Sequence, residues 1–302
     1  MESKQQRLSI LMSLTLFVIS VNLLFAEVNS VQTREVVVIF EKSFESIAQE
    51  VTRIYPTVKD DLAKTLQWQI DFRSEIVLVK NKENFRKMVG NDAIIAFAVP
   101  DKNLIVLDTS RVYTKPFTLE TTLKHELCHL SLHRYIEKET LPRWLDEGVC
   151  QWASGGIAEL ITGDDDNLLT KAIVSDRLIS IKELERFPLD EKSLILAYQE
   201  SKSIVEYISN EFGKQRILQM MHFLKEGYSI DESIQKSLLI TASELESKWH
   251  KHLKRKYTWF SYVSNNLYTI IFSIAAIITV YGFIRIVKKK RAYKDEEEEE
   301  HR

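Results

Sequence analysis

The chain has 302 residues, of which 45% are hydrophobic and 28% charged, and its formal net charge is −2. A composition of this kind belongs to a globular protein with room for one or two domains. The near-neutral charge produces no net positive field that would gather phosphates, so nucleic acid is not an expected partner. Two cysteines are too few for a disulfide-built scaffold.

The N-terminus has the layout of a secretory signal. Lys4 and Arg7 precede a nearly uncharged apolar run, Leu8 to Ala26, whose small last residue suits a cleavage point. Leu24, three residues back from that cut, is larger than the residue usually found there. The sequence therefore predicts a signal peptide over residues 1–26, and retention as an uncleaved anchor is the alternative.

The segment from Val36 to Leu107 combines strand and helix patterns, so we expect a mixed α/β N-terminal lobe. Runs of β-branched and apolar residues predict strands, helical spacing of apolar residues predicts helices, and proline is expected to interrupt one helix. The predicted strands are 36–40, 75–79 and a hairpin of 94–99 with 103–107 around Pro100-Asp101-Lys102; the predicted helices are 44–55, a separate stretch around Leu62 and Leu66 beyond Pro56, and a short one near Phe85.

From Leu119 onward helical patterns dominate, so a helical C-terminal lobe is expected and the predicted fold class is α+β. Thr118 is a suitable N-cap for a helix from Leu119 to Tyr135, and Pro142 favours the start of a second helix. The later helix signals are Gly213 at the end of an apolar stripe and two capping-box pairs, Ser229 with Glu232 and Thr241 with Glu244.

A second apolar run, Leu267 to Val287, has 21 residues, enough to cross about 30 Å of hydrocarbon. Aromatic residues precede it and a basic cluster follows it, which is typical of a transmembrane helix with a cytoplasmic C-terminal side. The aromatic residues are Trp259, Phe260, Tyr262 and Tyr268, and the basic ones are Arg285, Lys288, Lys289, Lys290 and Arg291. We therefore predict a single-pass protein of the cell membrane: an extracytoplasmic domain over residues 27–258, an interfacial segment and transmembrane helix in contact with lipid over 259–287, and a charged cytoplasmic tail over 288–302.

The stretch His125-Glu126-Leu127-Cys128-His129 carries the clearest chemical signal. Residues four apart share one face of a helix, so His125 and His129 can present ring nitrogens to one metal ion while Glu126 lies beside them. A catalytic zinc usually takes three protein ligands and keeps a fourth position for water. The two histidines therefore predict a zinc site that needs one more ligand from elsewhere in the chain.

Three arrangements could supply that ligand. His133 continues the four-residue spacing, but each such step rotates about 40° further around the helix, and its place near the helix end favours a solvated side chain. A metzincin would need glycine and histidine where this chain has Leu132 and Tyr135. Glu147, offered from a second helix beyond a connecting loop, remains as the candidate third ligand.

The segments HELCHL and LPRWLDEGVCQW resemble the gluzincin zinc peptidases, most closely the peptidase MA-like family. The resemblance covers about Leu104 to Trp249 and implies a thermolysin-like zincin catalytic core that hydrolyses peptide bonds in a protein or peptide substrate. It implies that His125, His129 and Glu147 bind one zinc ion and that Glu126 is the catalytic general base.

The resemblance also bears on polar residues around the site. It places a tyrosine on the helix after the site, which makes Tyr198 the candidate oxyanion donor, although its position on an apolar stripe equally fits a packed core tyrosine. Thermolysin-like members often have an aspartate four residues after the ligand glutamate, where this chain has Gln151. Asp146 is available to orient a ligand, or is only an exposed helix residue. Gly148 would allow the second helix a close approach.

Cys128 and Cys150 each lie three residues from a candidate ligand, so both are expected near the point where the two zinc helices meet. An extracytoplasmic location permits a disulfide between them. Free thiols are nevertheless the commoner state of small buried cysteines, so the sequence favours thiols and leaves the bridge as the alternative.

These patterns together predict a membrane-anchored zinc metallopeptidase. Its substrate could lie along the exposed strand edge of the 94–107 hairpin by strand addition. The alternative is a catalytically silent gluzincin-like domain that binds or scaffolds at the membrane surface, although such a domain would not need Glu126. A structural zinc site is disfavoured, because such sites usually have four ligands and are rich in cysteine.

Overall fold

The computed structural model describes residues 28–90, 94–111, 113, 118–136, 141–155, 168–265 and 267–300. The predicted signal segment, residues 1–26, lies outside the described residues. The chain divides into two compact units, the first ending at Trp249 and the second beginning at His250. The architecture is mixed α/β and mostly helical.

The strands are β1 (Val28–Gln32), β2 (Val36–Glu41), β3 (Ser74–Val79), β4 (Ala96–Val99) and β5 (Leu104–Asp108). They form one sheet in the order β1-β2-β3-β5-β4, in which β2, β3 and β5 are parallel and the two edge strands are antiparallel to their neighbours. The predicted strands and hairpin are confirmed. Strand β1 was not predicted, because its polar and largely exposed residues carry little strand pattern and it is defined by pairing with β2.

The helices are α1 (Glu45–Leu66), α2 (Lys82–Val89), α3 (Leu119–Tyr135), α4 (Arg143–Ala153), α5 (Leu168–Ser175), α6 (Glu191–Glu211), α7 (Lys214–Lys225), α8 (Ile230–Leu238), α9 (Ala242–Asn265) and α10 (Leu267–Glu300). The predicted mixed segment is followed by a helical one, in agreement with the α+β prediction. Both predicted capping boxes form: Glu232 accepts from the Ser229 N–H at 2.8 Å, and Glu244 accepts from the Thr241 N–H at 2.8 Å.

The prediction of two helices separated at Pro56 is wrong, because α1 continues through this residue. Proline removes one backbone hydrogen bond and costs about 3 kcal/mol within a helix. Burying a large apolar side chain contributes about 1.5–3 kcal/mol. Helix α1 buries a stripe on both sides of the proline, which offsets that cost; its members are Ala48, Val51, Tyr55, Val58, Leu62 and Leu66.

Helix α10 contains the apolar run near the C-terminus. Within the described residues, Leu267–Ile286 is the one helical stretch that is long and apolar enough to cross a membrane. This stretch coincides with the predicted span, and the large apolar side chains that the structure describes in it are exposed. Exposed isoleucine, phenylalanine and valine side chains along a helix are unfavourable in water and favourable in hydrocarbon.

Candidate metal centre

Helix α3 holds both candidate histidines in the interior of the first unit. Thr118 caps the helix by accepting a hydrogen bond from the Thr121 N–H at 3.1 Å. From Leu127 to Leu132 every side chain is buried, as are His125 and Glu126. Helix α3 is therefore a core helix, and the polar residues that it buries need polar or charged partners.

Helix α4 brings Glu147 towards α3. Gly148, the next residue, is pressed against α6: a Cβ atom placed there would lie 2.5 Å from the Ser201 carbonyl oxygen and 2.6 Å from Val205 Cγ2. Only glycine permits this separation of the two helices. The expectation that Gly148 allows a close approach is therefore confirmed.

Three ligand-type atoms converge where α3 and α4 meet. Nε2 of His125 lies 3.1 Å from Nε2 of His129, and Oε2 of Glu147 lies 3.7 Å and 3.4 Å from these two nitrogens. Zinc binds nitrogen and oxygen at about 2.0–2.1 Å in a tetrahedron, so ligand atoms around one zinc are about 3.3–3.4 Å apart. The three observed separations bracket that value, and all three residues are buried.

The carboxylate of Glu147 uses its two oxygens differently. Oε1 accepts a hydrogen bond from Nη2 of Arg143 at 3.0 Å, whereas the buried Oε2 accepts none from the described residues. A buried carboxylate oxygen is costly unless a cation neutralises it, and a metal ion between Oε2 and the two histidines would do so. Burial raises the pKa of Glu147, but the positive charges of His129 and Arg143 outweigh burial and hold this pKa well below its ordinary value.

Asp146 contacts two histidines of α3 at once. Its Oδ1 lies 2.8 Å from Nδ1 of His129, and its Oδ2 lies 2.9 Å from Nε2 of His133. Because an ionised carboxylate only accepts hydrogen bonds, Nδ1 of His129 carries the proton, and in the neutral ring Nε2 is the lone-pair nitrogen that faces the site. Asp146 therefore orients this imidazole, whereas the side-chain amide of Gln151 donates to the Tyr198 carbonyl oxygen at 3.1 Å.

The charges around Asp146 also shift its pKa and that of His129. Burial raises the pKa of Asp146, but His129 and His133 outweigh burial and hold it below its ordinary value. Burial lowers the pKa of His129, but Asp146 and Glu147 outweigh burial and hold it well above its ordinary value. The negative field that favours a second proton on His129 would equally favour a divalent cation in place of that proton.

Glu126 and Tyr198 are both buried, and they lie on different helices. Glu126 follows His125 in α3 and is fully buried. Tyr198 lies on α6 and is 2% exposed, with its ring against Phe187 and its hydroxyl 3.3 Å from Nη2 of Arg143. Tyr198 is thus a packed core tyrosine, and its hydroxyl and Oε1 of Glu147 both accept a hydrogen bond from Nη2 of Arg143.

Cys128 and Cys150 form a disulfide, which is the alternative that the sequence left open rather than the free thiols that it favoured. Their Cα atoms are 5.4 Å apart, a separation within the usual range for a disulfide. The sequence places each cysteine near a candidate ligand, but whether they face each other depends on how α3 crosses α4. The bridge ties the helix that carries the histidines to the helix that carries Glu147.

Comparison with known protein families identifies the superfamily of this chain. Residues 90–255, more than half of the chain, match the sequence profile of the Peptidase MA superfamily. The chain belongs to the Peptidase MA superfamily. The resemblance inferred from its two motifs is therefore confirmed.

Individual proteins are less similar to this superfamily member than the family profile is. No curated protein shows significant sequence similarity to it. Among solved structures it is similar to an M1 zinc metallopeptidase from Deinococcus radiodurans, with 12% identity and a TM-score of 0.46. That match covers 73% of this chain and 50% of the metallopeptidase, so the superfamily member spans half the length of that protein.

Two contacts in this superfamily member were not predicted from its sequence. His133 is only partly solvated: 41% of its side chain is exposed, and its Nε2 lies 2.9 Å from Oδ2 of Asp146. Arg143 contacts both Glu147 and Tyr198. Its position four residues before Glu147 on one helix was the available signal, since such residues are neighbours.

Proposed function

We propose that this chain is a membrane-anchored zinc peptidase with a thermolysin-like zincin core. The convergence of His125 Nε2, His129 Nε2 and Glu147 Oε2 carries this proposal. Two imidazoles and one carboxylate are the donor set of catalytic zinc in peptidases, and three protein ligands leave a coordination position for reaction chemistry. Exchange of any one of the three donors would leave a poorer zinc site.

Bound zinc supplies Lewis-acid chemistry: it makes water acidic enough to deprotonate near neutral pH, and it polarises the scissile carbonyl. In the proposed reaction, Glu126 takes a proton from the attacking water and later delivers it to the leaving amine. Glu126 is suited to this role because it lies beside a ligand in sequence and is screened from bulk water. His129 is held in the correct tautomer by Asp146.

Tyr198 is proposed to donate a hydrogen bond to the oxyanion that develops during hydrolysis. Its hydroxyl is joined through one guanidinium nitrogen to Glu147, so the site and the tyrosine are close. The substrate is proposed to be a peptide or protein that pairs with β4. Among the described strands β4 is an edge of the sheet, so its outer backbone groups can form a ladder with an extended peptide, and it contacts α3.

We further propose that residues 27–258 act outside the cytoplasmic membrane after removal of residues 1–26. The disulfide supports this location, because such bonds persist in oxidising compartments. The apolar stretch Leu267–Ile286 supports an anchor within residues 259–287. The basic cluster beyond it supports a cytoplasmic tail over 288–302.

A catalytically silent domain of the same fold, acting as a binding or scaffolding module, is the second candidate. Fold membership alone favours neither function. The burial of Glu126 beside the ligand cluster favours the enzyme, because an ionisable group is costly to bury and a scaffold gains nothing from it. The experiment must therefore separate zinc binding from hydrolysis.

The test uses the full-length protein purified in detergent, with metal content measured by mass spectrometry. The wild type should hold about one zinc per chain, and Glu147→Ala should lose most of it; retention of zinc would contradict the ligand assignment. Glu126→Gln should keep the zinc and lose hydrolysis, because the amide cannot accept the proton. The substrate search compares proteome-derived peptides cleaved by the wild type and by Glu126→Gln, and identical peptide sets would favour the silent domain.

A further inference from the structure

Arg143 makes an unusual set of contacts beside the ligand cluster. It is the first residue of α4, and 49% of its side chain is exposed, whereas those of Glu147 and Tyr198 are buried. Nη2 of Arg143 donates to Oε1 of Glu147 at 3.0 Å and to the Tyr198 hydroxyl at 3.3 Å. This nitrogen carries two hydrogens, so one can serve each acceptor.

We propose that Arg143 is a positioning residue of the metal centre, which fixes the ligand carboxylate of Glu147 and the hydroxyl of Tyr198 in one geometry. The proposal rests on the proposed zinc peptidase function and assigns to Arg143 two effects. It holds Oε1 of Glu147 away from the histidines, so that Oε2 alone faces them. It also holds Tyr198 where its hydroxyl can donate to substrate.

The first effect follows from the two unequal oxygens of Glu147. A carboxylate can turn so that both oxygens approach a cation, or it can present only one. The hydrogen bond from Arg143 engages Oε1, and Oε2 faces the histidine nitrogens at 3.4 and 3.7 Å. Charged hydrogen bonds of this kind are roughly twice as strong as neutral ones, and partners of ligating carboxylates tune metal affinity.

The second effect depends on aromatic packing around the guanidinium. Arg143 Cζ lies 5.3 Å from the centre of the Phe187 ring, and Phe187 packs edge-on against Tyr198 with ring centres 5.1 Å apart. The planar guanidinium is therefore oriented before substrate binds. Lysine has no such plane, so it would keep the charge at this position without keeping the geometry.

The stability of helix α4 alone does not account for an arginine at this position. A cation at the first residue of a helix lies at the positive end of the helix dipole, which is unfavourable. The pair with Glu147 also has the weaker order, since the basic residue precedes the acidic one by four. Because the guanidinium is half exposed, water screens part of its attraction for the buried carboxylate. The contacts with Glu147 and Tyr198 are more informative, because both partners are buried at the site.

The test compares the full-length protein with its Arg143→Gln and Arg143→Lys variants. We expect Arg143→Gln to weaken zinc affinity by about tenfold or more, measured by competition with a chelator and by the visible spectrum of the cobalt-substituted protein. Arg143→Lys should recover only part of this loss. The matched control is Lys202→Gln, which removes the first residue of another four-residue ion pair, with Glu206, on α6. The control should bind zinc as the wild type does.

Kinetics on a cleaved peptide then test the link to Tyr198. Arg143→Gln should lower kcat while KM changes little, because Arg143 acts through Glu147 and Tyr198. Tyr198→Phe should lower kcat in the wild type but add little in the Arg143→Gln background. The proposal is overturned if Arg143→Gln has the zinc affinity and kcat of the wild type, or if Arg143→Lys recovers both fully. Additive effects of Arg143→Gln and Tyr198→Phe on kcat would overturn it as well. A wild type without zinc would instead overturn the proposed function, and circular dichroism confirms that each variant is folded.

Discussion

Helices α3 and α4 carry the two halves of the candidate metal centre, and they position their ligands in different ways. On α3, the four-residue spacing alone puts His125 and His129 on one face. On α4, Glu147 reaches the site through tertiary contacts: the close packing of Gly148 on α6, the Cys128–Cys150 bridge and the bond between Asp146 and His129.

This difference separates local from long-range determinants of the same site. The histidine pair should persist in any condition that leaves α3 helical. The distance from this pair to Glu147 depends on the three contacts of α4 named above. Substitution of Gly148, of the two cysteines or of Asp146 removes one contact at a time. The variants below therefore act on zinc affinity through α4 while α3 stays intact.

Gly148→Ala should have the largest effect. The added Cβ would lie 2.5 Å from the Ser201 carbonyl oxygen, so the backbones of α4 and α6 must separate. We expect a loss of at least about 3 kcal/mol in the free energy of unfolding, together with weaker zinc binding. Urea denaturation and zinc competition measure the two effects.

The control for this prediction is Gly282→Ala. This glycine also lies in a helix, and a Cβ there meets nothing within 4 Å. The control should unfold and bind zinc as the wild type does. Wild-type stability of Gly148→Ala would show that α4 can move away from α6 without cost, and would remove this contact from the account of Glu147.

Loss of the disulfide should rank second. The two cysteines are 22 residues apart in sequence, and closing a loop of that size stabilises the folded state by about 3 kcal/mol. Cys128→Ala with Cys150→Ala should lose that amount and bind zinc more weakly. Because either single substitution also breaks the bridge, each should cost nearly as much as both together. Additive single effects in thermal unfolding would contradict a bridge.

Much of the site was predictable from sequence because its signals are local. The bounds of α3 follow from Thr118 and the apolar residues behind it, and the histidine spacing follows from helix geometry. The motif around Glu147 indicated the superfamily, which the sequence profile confirms. Assignment of the individual residues as ligands and base stays a prediction that the experiments above address.

What could not be predicted depends on how distant elements pack. Cys128 and Cys150 were expected as thiols because their facing depends on the crossing of α3 and α4. Pro56 was expected to end a helix because the local rule omits the buried stripe that continues beyond it. Arg143 was overlooked because one of its partners, Tyr198, lies on α6 and only packing brings them together.

Asp146→Ala should have a smaller effect than the two helix contacts, and it acts on zinc affinity rather than folding. Removing the carboxylate frees the His129 ring to rotate and change tautomer, so zinc should bind about 10–100-fold more weakly. His133→Ala should weaken binding by less than about tenfold, because His133 touches only the other oxygen of Asp146 and is partly solvated. Competition with a chelator gives both values. Equal losses in the two variants would show that His133 and Asp146 together, rather than Asp146 alone, determine the orientation of the His129 ring.

Glu200 on α6 gives the smallest expected effect on zinc, but a distinct pH dependence of stability. Its carboxylate accepts the Ile179 N–H at 3.1 Å, and burial, opposed by that hydrogen bond and aided by the charge of Glu246, raises its pKa from 4.5 to about 8. At pH values between 4.5 and about 8, Glu200 keeps its proton in the folded chain and loses it in the unfolded chain. The free energy of unfolding should therefore fall as pH rises from about 4.5 to about 8. Glu200→Gln, which resembles the protonated form, should flatten this decline, whereas Glu206→Gln on the exposed face of α6 should not. Parallel stability–pH curves for the wild type and Glu200→Gln, measured by urea denaturation, would contradict a buried protonated carboxyl at this position.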